Sequence, residues 1–174
     1  MESLSIGLLH LFIVVFLLRM PSLNAKNFYC SVTADIREFE RYFGTLKEML
    51  HNKDLITDVS LLKSNELKHI QPSERCCFLL RLGNFYISNI FPELESALFQ
   101  QHQDVTHLAN SILGVNKSLK ECHTTLRCPC GAKSHAVMKK FKDDYFKMEM
   151  KAAAIKAIGE LNILFHWMEK HYLS

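Results

Sequence analysis

The sequence lacks the two-residue alternation of apolar and polar side chains that marks β-strands, and it has no internal repeat and no low-complexity tract. It contains no G-x-S-x-G elbow, no H-E-x-x-H pair, no P-loop and no G-x-G-x-x-G turn, so the usual signatures of acyl transfer, metalloprotease, nucleotide and dinucleotide chemistry are missing. It also lacks a strong charge of one sign. A net charge of +3 over 174 residues, with a pI near 8.5, is too weak to suggest nucleic-acid binding, which calls for a pI above about 9 with clustered Lys and Arg. No apolar run reaches the roughly 20 residues of a bilayer span.

One shorter apolar run is present, at Ile6–Leu18 (IGLLHLFIVVFLL), followed by the small and polar residues PSLNA and then by charge from Lys26. These are the length and flanks of a secretory signal peptide, with Ala25 as its last residue. The competing reading is an uncleaved membrane anchor. Two regions are therefore expected: a leader at 1–25 and one domain at 26–174, large enough to bury roughly 68–70% of its unfolded surface. Glu2 and Arg19 leave together, so the charge of +3 survives cleavage.

All six cysteines, Cys30, Cys76, Cys77, Cys122, Cys128 and Cys130, come after the leader. An even count in a secreted chain reads as three disulfides, and six cysteines allow fifteen pairings. A Cys76–Cys77 bond would close a strained eight-membered ring, and on a helix the two side chains diverge by about 100°. Cys128 and Cys130 flank Pro129 and are similarly awkward to join. Ten pairings remain open. The simplest has Cys76 and Cys77 each taking a partner from Cys128 and Cys130, with Cys30 joined to Cys122.

Helical periodicity dominates the remainder. Ile36, Phe39, Phe43, Leu46 and Leu50 recur at steps of three and four, with Thr33 or Ser31 as a cap and Asp35 and Glu38 in or near the first turn. His51–Ser60 is polar and aperiodic, so it reads as a loop, and a short helix is expected over Leu61–Ile70. Pro72 suits a new helix start, and the next stripe is Leu79, Leu82, Tyr86 and Ile90, ended by Pro92. Glu93–Gln103 reads as either helix or loop. Val105, Leu108, Ile112, Val115 and Leu119 form another stripe, and Arg127–Lys133 (RCPCGAK) cannot be regular helix.

From Ser134 to Tyr172 the pattern is continuous but changes phase between Ile155 and Ile158. A straight helix of that length would span about 58 Å, more than a small domain's width, so a break is expected near Gly159 or somewhat before it. The stretch LNILFHWM is apolar almost all round and is expected to be the most buried. The fold class is an all-α bundle of five to seven helices.

The residues with chemical potential have plain structural readings. The C-x-C spacing at Cys128–Cys130 is shorter than zinc sites use, and His102/His107 and His166/His171 are each five apart, so neither pair shares a helix face well. No metal, cofactor or catalytic residue is expected. Asn116-Lys117-Ser118 is the one N-x-[ST] sequon, and its place beside Val115 is expected to put Asn116 on a helix flank, where a glycan could project. Of the aromatic and Met side chains in the C-terminal helices, one or two are expected to be exposed, as candidates for partner binding.

Three segments carry a likeness beyond composition. Cys76-Cys77 is followed by seven residues and then Phe85-Tyr86, with Ile90-Phe91 beyond; Cys122 precedes Cys128-Pro129-Cys130; and Lys151–Met168 reads KAAAIKAIGELNILFHWM. Together they resemble the interleukin-10 family, in its interleukin-19/20/24 branch, over nearly the whole mature chain. Asn162 departs from the aspartate usual at that place, and Gly83-Asn84 from better helix formers. The resemblance implies a compact antiparallel helical cytokine bundle with disulfides Cys30–Cys122, Cys76–Cys128 and Cys77–Cys130, the last two able to exchange partners. It implies a secreted protein that joins two class II cytokine receptor chains, of interleukin-20 receptor type, and triggers JAK-STAT signalling in immune and epithelial responses. The receptor-facing regions carried over are Thr33–Leu50, His51–Ser60 and Gly159–His171, with Arg37, Lys53, Asp54, Asp58 and Glu169 facing outward. A monomer is expected, because cysteines at the root of the C-terminal helices would limit their exchange between chains. The other class considered is a secreted helical carrier or inhibitor, which would need a cavity of a few hundred Å³ for a small apolar ligand.

Overall fold

A computed structural model describes residues 36–54, 56–97 and 102–172. The expected leader at 1–25, Cys30 and Thr33 lie outside the described residues. Helix α1 spans Ile36–Lys53 and buries Phe39, Phe43, Leu46 and Leu50, the stripe read from the sequence. It runs to Lys53, past His51, where the polar loop is expected to begin. The expected helix over Leu61–Ile70 contracts to one turn and a half, α2, Ser64–Lys68, because Leu61 and Leu62 give their amides to the Glu160 carboxylate and stay in a loop.

Pro72 opens a 3₁₀ turn, Pro72–Glu74, where its missing N–H costs nothing, and α3 continues from it at Arg75–Phe85. Pro92 does not end this rod. The chain widens into one π turn, Tyr86–Ile90, and continues as α4, Phe91–Ala97, with Pro92 as its second residue. A proline within a helix crowds the carbonyl four residues earlier and leaves it without a donor; the wider turn just ahead of Pro92 makes room.

Helix α5, His102–Leu126, is the longest, and α6 runs Ala132–Phe146. The C-terminal stretch breaks twice, at Lys147–Glu149 and at Glu160, giving α7, Met150–Gly159, and α8, Leu161–Tyr172. Glu149 caps α7 by accepting from the Ala152 amide at 2.9 Å. Counting α3, the π turn and α4 as one rod gives seven rods among the described residues.

Helix α5 lies along α3 and α1, while α7 is covered by α1, α4 and α6. Every residue from Ala153 to Ile158 is buried. The most buried segment is therefore α7, not the LNILFHWM stretch in α8, where Asn162, His166, Glu169 and Lys170 are exposed. Alanines at 152–154 and 157 are what let three helices close over α7; larger side chains would hold them apart. Tyr86 anchors the π turn here by donating to the Ala157 carbonyl at 2.9 Å. Its hydroxyl ionises only well above the usual tyrosine range, because it is fully buried and faces Glu160.

Candidate functional site

Two charged side chains stand in the apolar run of α7 and its C-terminal turn. Lys156 and Glu160 lie one turn apart, and both are buried, at 8% and 9% exposure. Lys and Glu are almost never buried unless paired, so each should have partners. Lys156 Nζ donates to Asp54 Oδ2 at 3.1 Å and to the Ile56 carbonyl at 2.6 Å, and stands 3.7 Å from Glu160 Oε1. Glu160 Oε2 accepts from two successive backbone amides, Leu61 at 2.8 Å and Leu62 at 2.7 Å. Asp54 also accepts from the Ile56 amide at 3.1 Å, which turns the chain just past the end of α1.

The segment 56–62 is thus fastened at both ends by its backbone groups, to Lys156 of α7 and to Glu160 just beyond it. Burial raises the Glu160 carboxyl above the ordinary glutamate range, opposed by the Leu62 amide, the Lys156 charge, the Ser60 hydroxyl and the Leu61 amide. Between the two fastenings, Thr57 and Asp58 are exposed, while Ile56, Val59 and Ser60 are half-buried. The arrangement shapes a loop and presents it.

The residues expected to face outward divide. Lys53 and Asp58 are exposed beside and within this segment. Asp54 is not free to meet a partner: its carboxylate is occupied by Lys156 and the Ile56 amide, and its side chain is 21% exposed. Glu169 is exposed on α8, 3.9 Å from His166, nine residues beyond Glu160 and so about 14 Å along the helix direction. Arg37 lies in α1, with its side chain outside the described residues. Sequence reasoning missed Lys156 and Glu160, although a Lys-x-x-x-Glu pair in an apolar helix is a readable anomaly.

A second junction is built from sulfur. Cys77 and Cys130 form a disulfide, with Cα atoms 5.4 Å apart. Cys122 is also disulfide-bonded; Cys30, its expected partner, lies outside the described residues. Cys76 and Cys128, the third expected pair, are both buried and in contact, Cys76 hydrogen-bonded to Cys128. With His123 they form a group whose donor atoms lie within 4.8 Å of one another, and His123 Nδ1 is buried without a partner among the described residues. Burial and the Cys128 contact push the Cys76 thiol up to about 12. Glu74 adds a further tie, accepting from the Ser134 amide at 2.8 Å and lying so close to Gly131 that a Cβ there would sit 1.8 Å from Glu74 Oε1.

The sequon does not project. Asn116 is 5% exposed, donates to Asn84 Oδ1 at 3.1 Å and packs on Gly83, where a Cβ would fall 2.0 Å from its Oδ1. The expected flank position fails because α3 and α5 approach closely at Gly83, and the amide that would carry a glycan fills that contact. Gly83 and Asn84, weak helix formers in sequence terms, are the residues that make the contact possible. Phe146 and Met150 are the exposed members of the C-terminal aromatic and Met set, at 54% and 37%, on either side of the α6–α7 break.

Comparisons with known proteins agree with this layout. The family model for interleukin 10 matches residues 17–174. Mouse interleukin-20 is 32% identical over 161 residues, 90% of this chain and 92% of that protein. Mouse interleukin-19 is 31% identical, over 83% of this chain and 82% of that protein. The crystal structure of human interleukin-19 superposes with a TM-score of 0.73 at 27% identity, covering 82% of this chain and 92% of that one.

Proposed function

The chain belongs to the interleukin-10 family, and we propose that it is a secreted cytokine that joins two class II cytokine receptor chains, of interleukin-20 receptor type, and so triggers JAK-STAT signalling in immune and epithelial responses. The cytokine role itself comes with the family, whose members are signalling proteins and not enzymes. Residues 1–25 act as the signal peptide and 26–174 as the mature cytokine. Among the described residues no helix is long and apolar enough to cross a membrane.

The observation that carries the receptor reading is the fastened segment 56–62. A polar loop of this kind, left loose, would have to be ordered on binding, and that ordering would subtract from affinity. Here it is fixed in advance, with Lys53, Thr57 and Asp58 at the surface. One receptor chain covers this segment together with α1 and α8; a second takes a neighbouring face. Mature protein passed over immobilised ectodomains of class II receptor chains tests this, with STAT phosphorylation in epithelial cells as the downstream readout. Saturable binding to a receptor pair supports the reading; no binding to any such chain defeats it.

The mature protein works as a monomer, with Cys76–Cys128 closing as a third bridge in the oxidising extracellular medium. The Cys77–Cys130 bond and the Glu74–Ser134 tie support this, since they root α6 against the start of α3 and restrict any exchange of the C-terminal helices between chains.

A further inference from the structure

We propose that the tip formed by the α6–α7 break is an interfacial anchor: Phe146 and Met150 enter an anionic lipid surface while the lysines around them meet its headgroups. The anchor does not rest on the receptor reading.

The tip follows from how α6 ends. Val137, Met138, Phe141 and Tyr145 form the buried stripe of that helix. Phe146 comes next, about 100° round the helix, so it leaves the core just where the helix stops. Its ring stands edge-on to Phe85 at 5.7 Å and to Tyr145 at 5.3 Å, which braces it while more than half of the residue stays open to water. Met150 opens α7 on the other side of the break and is exposed as well. Of the three large apolar side chains exposed among the described residues, these two lie four positions apart; the third, Leu113, is on α5.

Charge decides what the tip meets. Residues 139–151 carry five lysines (Lys139, Lys140, Lys142, Lys147 and Lys151) against three acids, Asp143, Asp144 and Glu149. The acids are engaged within the protein: Asp143 holds Lys139, Asp144 holds Lys140 and Lys147 at 3.0 and 3.1 Å, and Glu149 caps α7. Lys142 and Lys151 are exposed and have no ion pair among the described residues. Lys142 also lies over the Phe85 ring at 5.3 Å, which keeps its charge beside the aromatic cluster that braces Phe146. A second copy seated tip to tip would bring these lysines together, and two side chains fall far short of the roughly 800 Å² each partner gives a stable dimer. A sulfated polysaccharide would use the lysines and leave Phe146 and Met150 in water. An anionic lipid surface uses both, with the apolar groups below the headgroups and the ammonium groups among them. Such attachment is weak and reversible, since each lysine near a negative surface gives about a fivefold gain in partition.

The experiment co-sediments the mature protein with vesicles of phosphatidylcholine alone, and with vesicles that also hold about 30% phosphatidylserine, at about 0.1 M salt. Partition onto the anionic vesicles should be at least about tenfold higher than onto the neutral ones, and should vanish near 0.5 M salt. F146S/M150S and K142S/K151S should each lower it about tenfold. M150S alone, which leaves the Phe85 ring cluster intact, should lower it about threefold, so the apolar contribution is read even if the double variant is unstable. L113S should stay within about twofold of wild type.

Equal partition onto both kinds of vesicle, or partition that M150S and F146S/M150S leave unchanged, overturns the anchor. Binding that needs only the lysines and is competed away by a heparin oligosaccharide assigns the patch to a soluble polyanion and overturns it too. A fall in L113S as large as that in F146S/M150S shows general apolar adhesion, with the same consequence.

Discussion

Between α5 and α6 the chain is tied down by a disulfide, by a close approach of Glu74 to Gly131 and by the contact of Cys76 with Cys128. Between α1 and α2 it is tied down by one buried lysine and one buried glutamate. The first junction is covalent and restricts the unfolded chain as much as the folded one. The second is electrostatic, exists only in the folded state, and can be loosened by a single atom's exchange. A hinge that must not open is held by sulfur, and a surface that must meet a partner in a defined shape is held by hydrogen bonds to its backbone.

Removing the covalent tie should give the largest effect. The Cys77–Cys130 bond spans a sequence separation of 53, for which loop-closure entropy gives about 4 kcal/mol as an upper guide. C77A/C130A should therefore lose roughly 2–4 kcal/mol in denaturant unfolding. A loss under about 1 kcal/mol would mean that Glu74 and the apolar contacts hold this junction without it. E160Q comes next, at about 1–3 kcal/mol, because the glutamine oxygen can keep the Leu61 and Leu62 amides but its NH₂ then replaces the oxygen that faces the buried Lys156. If E160Q proves as costly as the double cysteine variant, the contrast between the two junctions collapses.

Acid sharpens the comparison at smaller amplitude. The Glu160 carboxyl is raised by burial, so the fold binds its proton more tightly than the unfolded chain does. Its contribution is most favourable below the ordinary carboxyl range and is lost as pH rises through the raised value. Asp144 runs the other way: hydrogen bonds from Lys140 and Lys147 lower it, so its contribution is present above the ordinary range and is lost as pH falls. Denaturant unfolding of wild type and E160Q at mildly acidic and neutral pH should show wild type gaining on the variant toward acid. A gap that widens toward neutral pH would reverse the assigned sign. Least of all should change in S118A, which destroys the sequon and leaves Asn116 in place. Apart from the one oxygen atom that the substitution removes, mass should match wild type, and stability should stay within about 0.5 kcal/mol. A mass lower by a glycan would show that Asn116 reaches solvent after all.

Much of the fold is legible in the residues. The stripes of α1, the α3 rod and α5 come directly from spacing, and the family likeness rests on the cysteines and on Lys151–Met168, which span the sulfur junction and α7. The hidden features depend on neighbours distant in sequence. Pro92 looks like a stop because local rules weigh a proline against a regular helix, and nothing local announces a π turn. Asn116 looks peripheral because its burial is set by Gly83, 33 positions earlier. Asp54 looks outward because the lysine that claims it lies 102 residues away. Glu160 is in view inside the signature, yet its partners are backbone amides, which no side-chain pattern reports.

The central claim is that the segment fastened to α7 is the surface a receptor covers. Hydrogen exchange of the mature protein alone and bound to a class II receptor ectodomain tests it most directly. Protection should rise at residues 52–62 and on the exposed side of α8 around Glu169, with the Leu61 and Leu62 amides already slow before binding. Protection that rises only elsewhere, with residues 52–62 exchanging as in the free protein, would contradict it.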